Sequence, residues 1–264
     1  MINWLKCFGI ICSYLSISFA HAEQVTCHKL SRALLPNVQI VSAQVVEAGG
    51  FSAPGRWESE TLYKDLPAFC RVKAVAKPTN DSHINIEVWL PKKDWNGRYY
   101  QVGIGGGGGH IYYTMLAESL RDGNASATSD DGHTYDDPNW PISHPDKVID
   151  MGYRAVAETT KVAKASIERF YGKEAHHNYF TGCSGGGRHA LMAAQRTPET
   201  WDGILIGAPG NYYNLRTASN LSLAKRWYSN LAGRIPPSKL PAIQQAALAA
   251  CDTKAHVING IATD

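Results

Sequence analysis

The chain has 264 residues, 44% of them hydrophobic and 19% charged, with a formal net charge of +3 at pH 7. This is the make-up of an ordinary globular protein, large enough to bury a substantial core as one domain or as a domain with an insertion. The charge is too small for a nucleic-acid-binding protein, and no charge run, heptad array or internal repeat occurs.

Residues 1–22 carry one lysine, Lys6, then an apolar run from Cys7 to Phe19 and the small-x-small end Ala20-His21-Ala22. This is the pattern of a cleaved secretion signal. Its run is too short to cross a bilayer, and no later stretch reaches the roughly 20 apolar residues that a spanning helix needs, so a secreted or periplasmic protein without a membrane partner is expected. Cys7 and Cys12 leave with such a signal. Cys27, Cys70, Cys183 and Cys251 then remain in an oxidising compartment, and their spacing leaves all pairings open.

Ile84 to Leu90 alternates and stops at Pro91, which predicts a strand, and Arg98 to Gly103 predicts a second one after the Asn96-Gly97 turn. The glycine run from Gly105 to Gly109 follows directly. From Ile149 to Phe170, apolar or small residues recur at helical spacing and predict a helix of about six turns, ended by Tyr171-Gly172. Asn178 to Gly182 predicts a short strand, Gly186 to Arg196 a helix, and Asp202 to Ile206 a strand closed by Gly207-Ala208-Pro209-Gly210. Strand alternating with helix predicts an α/β fold with a parallel sheet. Two further helical stretches, Ala218 to Leu231 and Ser238 to Ala250, have no strand after them and read as the start of an insertion.

Between the predicted strand at 178–182 and the helix at 186–196 stands Gly182-Cys183-Ser184-Gly185-Gly186. In a Gly-x-Ser-x-Gly turn of this kind, side chains two before and two after the serine would collide, so glycine is required there and the hydroxyl is presented outward as a nucleophile. Ester hydrolysis also needs two backbone N–H groups aimed at the developing oxyanion. One belongs to the residue after the nucleophile, Gly185, and the other to a glycine-rich loop after an early strand, here Gly103 to Gly109. The same loop fits G-x-G-x-x-G through Gly103, Gly105 and Gly108, with Asp122 downstream, but export and the independent serine elbow argue against a dinucleotide site.

The segments "YFTGCSGGGRHALMAAQRTPETWDGILIGAP", "RYYQVGIGGGG", "SDDGH" at Ser129 to His133 and "VIDMGYRAVAETT" resemble the tannase and feruloyl esterase family of α/β-hydrolases. The resemblance runs from about Cys27 to the last residue. It implies an α/β-hydrolase fold, a parallel-type sheet flanked by helices, with the N-terminal part of the core over 23–211 and the start of a lid insertion over 212–264. It implies hydrolysis of esters of aromatic acids such as ferulate or gallate, with no catalytic cofactor. The partner implied is that small-molecule aromatic ester. Ser184 is then the nucleophile, and Gly185 and Gly106 are the oxyanion donors.

The resemblance further implies a disulfide between Cys27 and Cys70. It pairs Cys183 with a cysteine beside the family's catalytic histidine, and Cys251 with one a few residues on; neither partner occurs here, so both thiols are expected unpaired. The family's triad Asp and His follow the insertion in chain order, so they are expected to be absent. The chain then reads as the inactive N-terminal part of a longer enzyme whose last strands are missing. His133, His189 and His256 lack the order and context of a triad base and are expected to pack or face solvent. Cys251 to Asp264 resembles the family's calcium loop, with Asp252, Asn259, Ile261 and Asp264 at ligand positions for a structural Ca2+, although Ala255 and Asn259 replace two carboxylates. Tyr112, Tyr113, Trp140, Tyr212 and Tyr213 are expected in the core or rim, with an acyl pocket as the alternative. The alternative function is a non-catalytic exported binding protein on a hydrolase scaffold.

Overall fold

The computed structural model describes residues 26–31, 35–54 and 60–251. The expected signal segment therefore lies outside the described residues, as do Asp252, Ala255, His256, Asn259, Ile261 and Asp264 of the expected calcium loop. The chain divides into two units, Met1–Gly210 and Asn211–Asp264.

In the first unit, β1 (Val38–Val46), β2 (Phe69–Ala76), β3 (Ile84–Pro91), β4 (Arg98–Val102), β5 (Ala125–Ser129), β6 (His177–Cys183) and β7 (Gly203–Gly207) form one sheet. The spatial order is β1-β2-β3-β5-β4-β6-β7. The expected parallel pairing holds for β5-β4-β6-β7, the half that carries Ser184. The other half corrects the expectation, because β1, β2, β3 and β5 pair antiparallel. For β2 and β3 the physical reason is their short connection, in which Ser82 N–H bonds Thr79 O; such a connection reverses the chain, whereas a parallel pair needs a long crossover.

Helices α1 (Tyr113–Arg121), α3 (Ala155–Tyr171) and α4 (Gly185–Arg196) pack on the sheet, and α2 (Pro145–Ile149) leads toward α3. The single helix expected over 149–170 is in fact α3, entered through α2 and a π-helical turn at Asp150–Arg154. Gly172 ends α3 with φ 69°, the left-handed conformation that only glycine adopts freely. One sheet face packs Val72, Ile86, Val88 and Leu90 against Val162, Ile167 and Phe170 of α3. The other packs Phe69 and Trp89 with Phe51, Tyr113, Leu116 and Leu120, bringing α1 against it.

Tyr113 thus packs in this core, and it also lines a cavity that Ser184 does not line. Its hydroxyl donates to Glu87 Oε1 at 3.1 Å, and burial, reinforced by the Glu87 charge, pushes the phenol well above its usual range. Glu87 also accepts from Arg71 at 2.6 and 2.8 Å and from Trp89 Nε1 at 2.9 Å, so its buried charge is paired and hydrogen-bonded.

A disulfide joins Cys27, in a short 3-10 helix, to Cys70 in β2, closing a sequence separation of 43 residues. Replacing both cysteines by serine is expected to lower stability by about 2 to 4 kcal/mol, because the open chain regains loop entropy when unfolded. Denaturant titration of the double variant checks this, and an unchanged midpoint would count against it.

The second unit contains α5 (Tyr213–Ser229), two short 3-10 turns and α6 (Leu240–Cys251). Both helices match the predicted stretches, with α5 starting earlier than expected. Leu215, Leu221, Leu223, Trp227 and Tyr228 are exposed. No described helix is long and apolar enough to cross a membrane.

Candidate active site

Ser184 sits between the end of β6 and the first residue of α4, at φ 58° and ψ −115°. A residue with a Cβ reaches this left-handed region only at a cost, so its surroundings must hold it there. They do so through the main chain. Ser184 N–H donates to Gly207 O at 3.0 Å, and Ser184 O accepts from Arg188 N at 3.1 Å and Gly210 N at 3.0 Å. The two strand ends and the helix thus fix the turn, with Cys183 and Ser184 exposed above it and Gly185 to Gly187 buried below.

The glycines on either side are sterically required. A Cβ on Gly182 would lie 2.9 Å from Gly186 Cα and closer still to its carbonyl, and one on Gly186 would lie 2.7 Å from Gly103 C. The glycine loop is therefore packed on the elbow. Asp122 is exposed at the C-terminal end of α1 and does not take part.

The structure brings the two expected oxyanion donors together. A Cβ on Gly185 would lie 3.1 Å from Gly106 N, so the loop and the start of α4 are in backbone contact. The first N–H groups of a helix have no intrahelical acceptor and sit at the positive end of its dipole. Among the described residues nothing accepts from the N–H of Gly185 or of Gly106. An exposed hydroxyl beside two unspent N–H groups can attack a carbonyl and hold the resulting oxyanion.

No described side chain hydrogen-bonds the Ser184 hydroxyl. His189 is 2% exposed, and its Nε2 accepts from Arg188 Nη2 at 2.7 Å and lies 3.2 Å from Asp131 Oδ2. An arginine has no acceptor, so in that contact the imidazole nitrogen is the acceptor; it then has no hydrogen to offer Asp131, whose Oδ2 has no hydrogen bond of its own and is drawn instead toward the Arg188 charge at the same nitrogen. His133 is buried and stacked on Trp140, ring centroids 4.0 Å apart, and burial holds its imidazole below the usual histidine range against the pull of Asp131. Both histidines are thus packing residues, and Trp140 is spent on His133. Tyr112 precedes α1, and Tyr212 is exposed ahead of α5. Cys251 is the last residue of α6.

The motif from Ser129 to His133 carries two carboxylates, Asp130 and Asp131, to which no spacing rule assigns a role. The structure buries both beside the glycine loop. Asp130 accepts from Asn85 N at 3.0 Å, Asn85 Nδ2 at 2.5 Å and Gly132 N at 2.9 Å. Burial nevertheless pushes its carboxyl up to about 7, against those three donors. A cavity of about 300 Å³ opens beside it, lined by Lys73, Asn85, Glu87 and His110 and not by Ser184.

With a folded value near 7 and an unfolded one near 3.8, the folded state holds the Asp130 proton more firmly. This contribution to stability is complete below pH 3.8 and is lost as pH rises to about 7. Asp130→Asn is therefore expected to gain stability relative to the parent between pH 4 and 7, by an amount on the order of a few kcal/mol. Melting curves of both proteins across that range check this, and parallel pH profiles would contradict it.

The Tannase and feruloyl esterase family model matches residues 70–264. The chain belongs to this family. Among curated members, an uncharacterized esterase of Xanthomonas campestris pv. campestris is 41% identical over 245 residues, covering 92% of this chain and 42% of its own length. A probable feruloyl esterase B-1 of Aspergillus terreus is 32% identical over 75% of this chain and 38% of its own. Among solved structures, feruloyl esterase B from Aspergillus oryzae superimposes with a TM-score of 0.76 at 25% identity, over 90% of this chain and 49% of that one. Tannin acyl hydrolase from Aspergillus niger shares the fold at a TM-score of 0.65 and 22% identity, over 92% of this chain and 47% of its own. The chain spans less than half the length of these tannase and feruloyl esterase relatives.

Proposed function

We propose that this member of the tannase and feruloyl esterase family serves an exported serine carboxylic ester hydrolase acting on small esters of aromatic acids. The observation that carries the reading is the strained, exposed Ser184 set beside the unspent N–H groups of Gly185 and Gly106. In the reaction, Ser184 Oγ attacks the ester carbonyl carbon as a histidine takes its proton. The carbonyl oxygen, now negative, is held by Gly185 and Gly106 N–H. Collapse expels the alcohol, which receives that proton, and water then releases the acid from Ser184. The aromatic acid is suggested by relatives named feruloyl esterase and tannin acyl hydrolase. The proposed histidine and its orienting carboxylate are not assigned to described residues, because none touches the Ser184 hydroxyl.

The test measures hydrolysis of methyl ferulate, methyl gallate and 4-nitrophenyl acetate alongside fluorophosphonate labelling read by peptide mass. Residues 1–264 alone are expected to label at Ser184, but slowly, since the hydroxyl there is unassisted. Rapid stoichiometric labelling would show that a base already stands at Ser184. Turnover of the aromatic esters by a family-length protein carrying these residues is expected, and its absence with all three esters would favour the non-catalytic binding protein.

A further inference from the structure

The glycine loop raises a mechanical question. Glycine is the most flexible residue, and a run from Gly105 to Gly109 has no side chains with which to hold its place. An oxyanion site tolerates little of that freedom, because its donors act only when fixed at the position where charge develops.

Beyond its contacts with the elbow, the far end of the loop is restrained by three sets of contacts from the segment Ser129 to Tyr135. Gly109 N–H donates to Asp130 O at 2.9 Å, and Gly109 O accepts from Tyr135 N at 3.0 Å. Gly108, at φ 84°, lies so close to Asp131 that a Cβ there would be 2.5 Å from Oδ2 and 3.0 Å from His133 Cε1. Asp131 itself is held at φ 64° and is 2% exposed. The same Oδ2 meets α4 at His189 Nε2, 3.2 Å away, to which Arg188 Nη2 donates at 2.7 Å. The Arg188 guanidinium in turn donates to Met151 O at 2.9 Å and Gly152 O at 3.1 Å in the π-helical turn. The Asp131 carboxylate and the Arg188 guanidinium thus meet at one imidazole nitrogen, His189 Nε2, in buried, low-dielectric surroundings where opposite charges attract strongly. Ser184 and Gly185 start the same helix that carries Arg188 and His189.

We propose that Asp131, His189 and Arg188 form a buried strut that clamps the glycine loop to α4 and so sets the spacing between the Gly106 and Gly185 amides. These are positioning residues, since none of them touches the reacting atoms, and the proposal rests on the esterase reading above. Ester turnover then depends on a charge placed beneath the loop, at residues that no substrate contacts.

The test uses Asp131→Asn, which keeps shape and removes charge, His189→Leu, and their combination, in the family-length protein. Backbone amide exchange over residues 103–109 is compared with exchange in α1 and α3, and kcat and KM are measured for 4-nitrophenyl acetate. Each single variant is expected to speed loop exchange by about 10-fold while α1 and α3 stay as they were. In each, kcat should fall by about 10- to 100-fold with KM nearly unchanged, as expected for a loss of transition-state stabilisation alone. The combination should be no worse than either single change, because both break one strut. Gly108→Ala is a variant that leaves the strut residues in place and lifts the loop from them; it should show the same signature. Unchanged loop exchange, or a rise shared equally by loop, α1 and α3, would overturn the proposal, as would additive losses or wild-type behaviour of Gly108→Ala. Failure of the parent protein to turn over any ester would instead sink the esterase reading, and the exchange measurements would still judge the strut.

Discussion

Replacing Ser184 by glycine is expected to lower kcat for ester hydrolysis by roughly 10⁴- to 10⁶-fold and at the same time to raise the melting temperature by about 2 to 4 °C. The loss follows from removing the hydroxyl that the proposed reaction uses as its nucleophile. The gain follows from the backbone. At φ 58° and ψ −115° a residue bearing a Cβ stores strain of about 1 to 3 kcal/mol, and glycine does not. Glycine's greater freedom in the unfolded chain offsets about 0.4 to 1 kcal/mol of this, which leaves a net gain. Ser184→Ala separates the two effects, because it loses the hydroxyl while keeping the Cβ; it should be equally inactive and no more stable. Calorimetry on the parent and both variants, with kcat measured in the family-length protein, checks this. A glycine variant less stable than the alanine variant would show that the elbow is not strained.

Gly182→Ala is expected to prevent the native fold, with a destabilisation greater than about 4 kcal/mol. Its new methyl group would meet the main chain of Gly186, which cannot retreat because Gly186 is itself pressed against Gly103. β6, α4 and the glycine loop would have to part together. Gly105→Ala makes the comparison fair. A Cβ there meets nothing within 4 Å, so that variant should stay within about 0.5 kcal/mol of the parent. Soluble yield and thermal unfolding of the two distinguish steric exclusion from a general loss of glycine. A cooperatively folded Gly182→Ala protein would mean that the elbow can open.

The elbow was legible because its requirement is local: a sharp turn forces glycine at fixed offsets, and Gly182 and Gly186 stand at those offsets. β3 was legible for a similar reason, since Ile84, Ile86, Val88 and Leu90 line one face in simple alternation. β1 was not, because a register shift between Ile40 and Ser42 moves later residues to the opposite face and breaks the period of two. β5 was hidden for another reason. Its residues Ala125, Ser126, Ala127, Thr128 and Ser129 are all buried, yet none is large, so no hydrophobic run announces it. The small side chains allow α1 and α3 to approach both faces, with Ser126 donating to Leu116 O and Thr128 to Val102 O. The contact of Asp131 with His189 joins positions far apart in the chain, and no spacing rule reports such a pairing.

β7 ends the sheet, and no described strand pairs with its outer side. Leu205 on that strand is 69% exposed. A row of unspent peptide groups beside an exposed leucine is a template that a second chain can extend, and two chains meet at a rate set by the square of their concentration. For residues 1–264, the dilution at which a sample is handled is therefore expected to act as a structural variable, with association through this edge growing as the solution is concentrated. Light scattering across a dilution series, with Leu205→Lys as the comparison, would follow that growth directly.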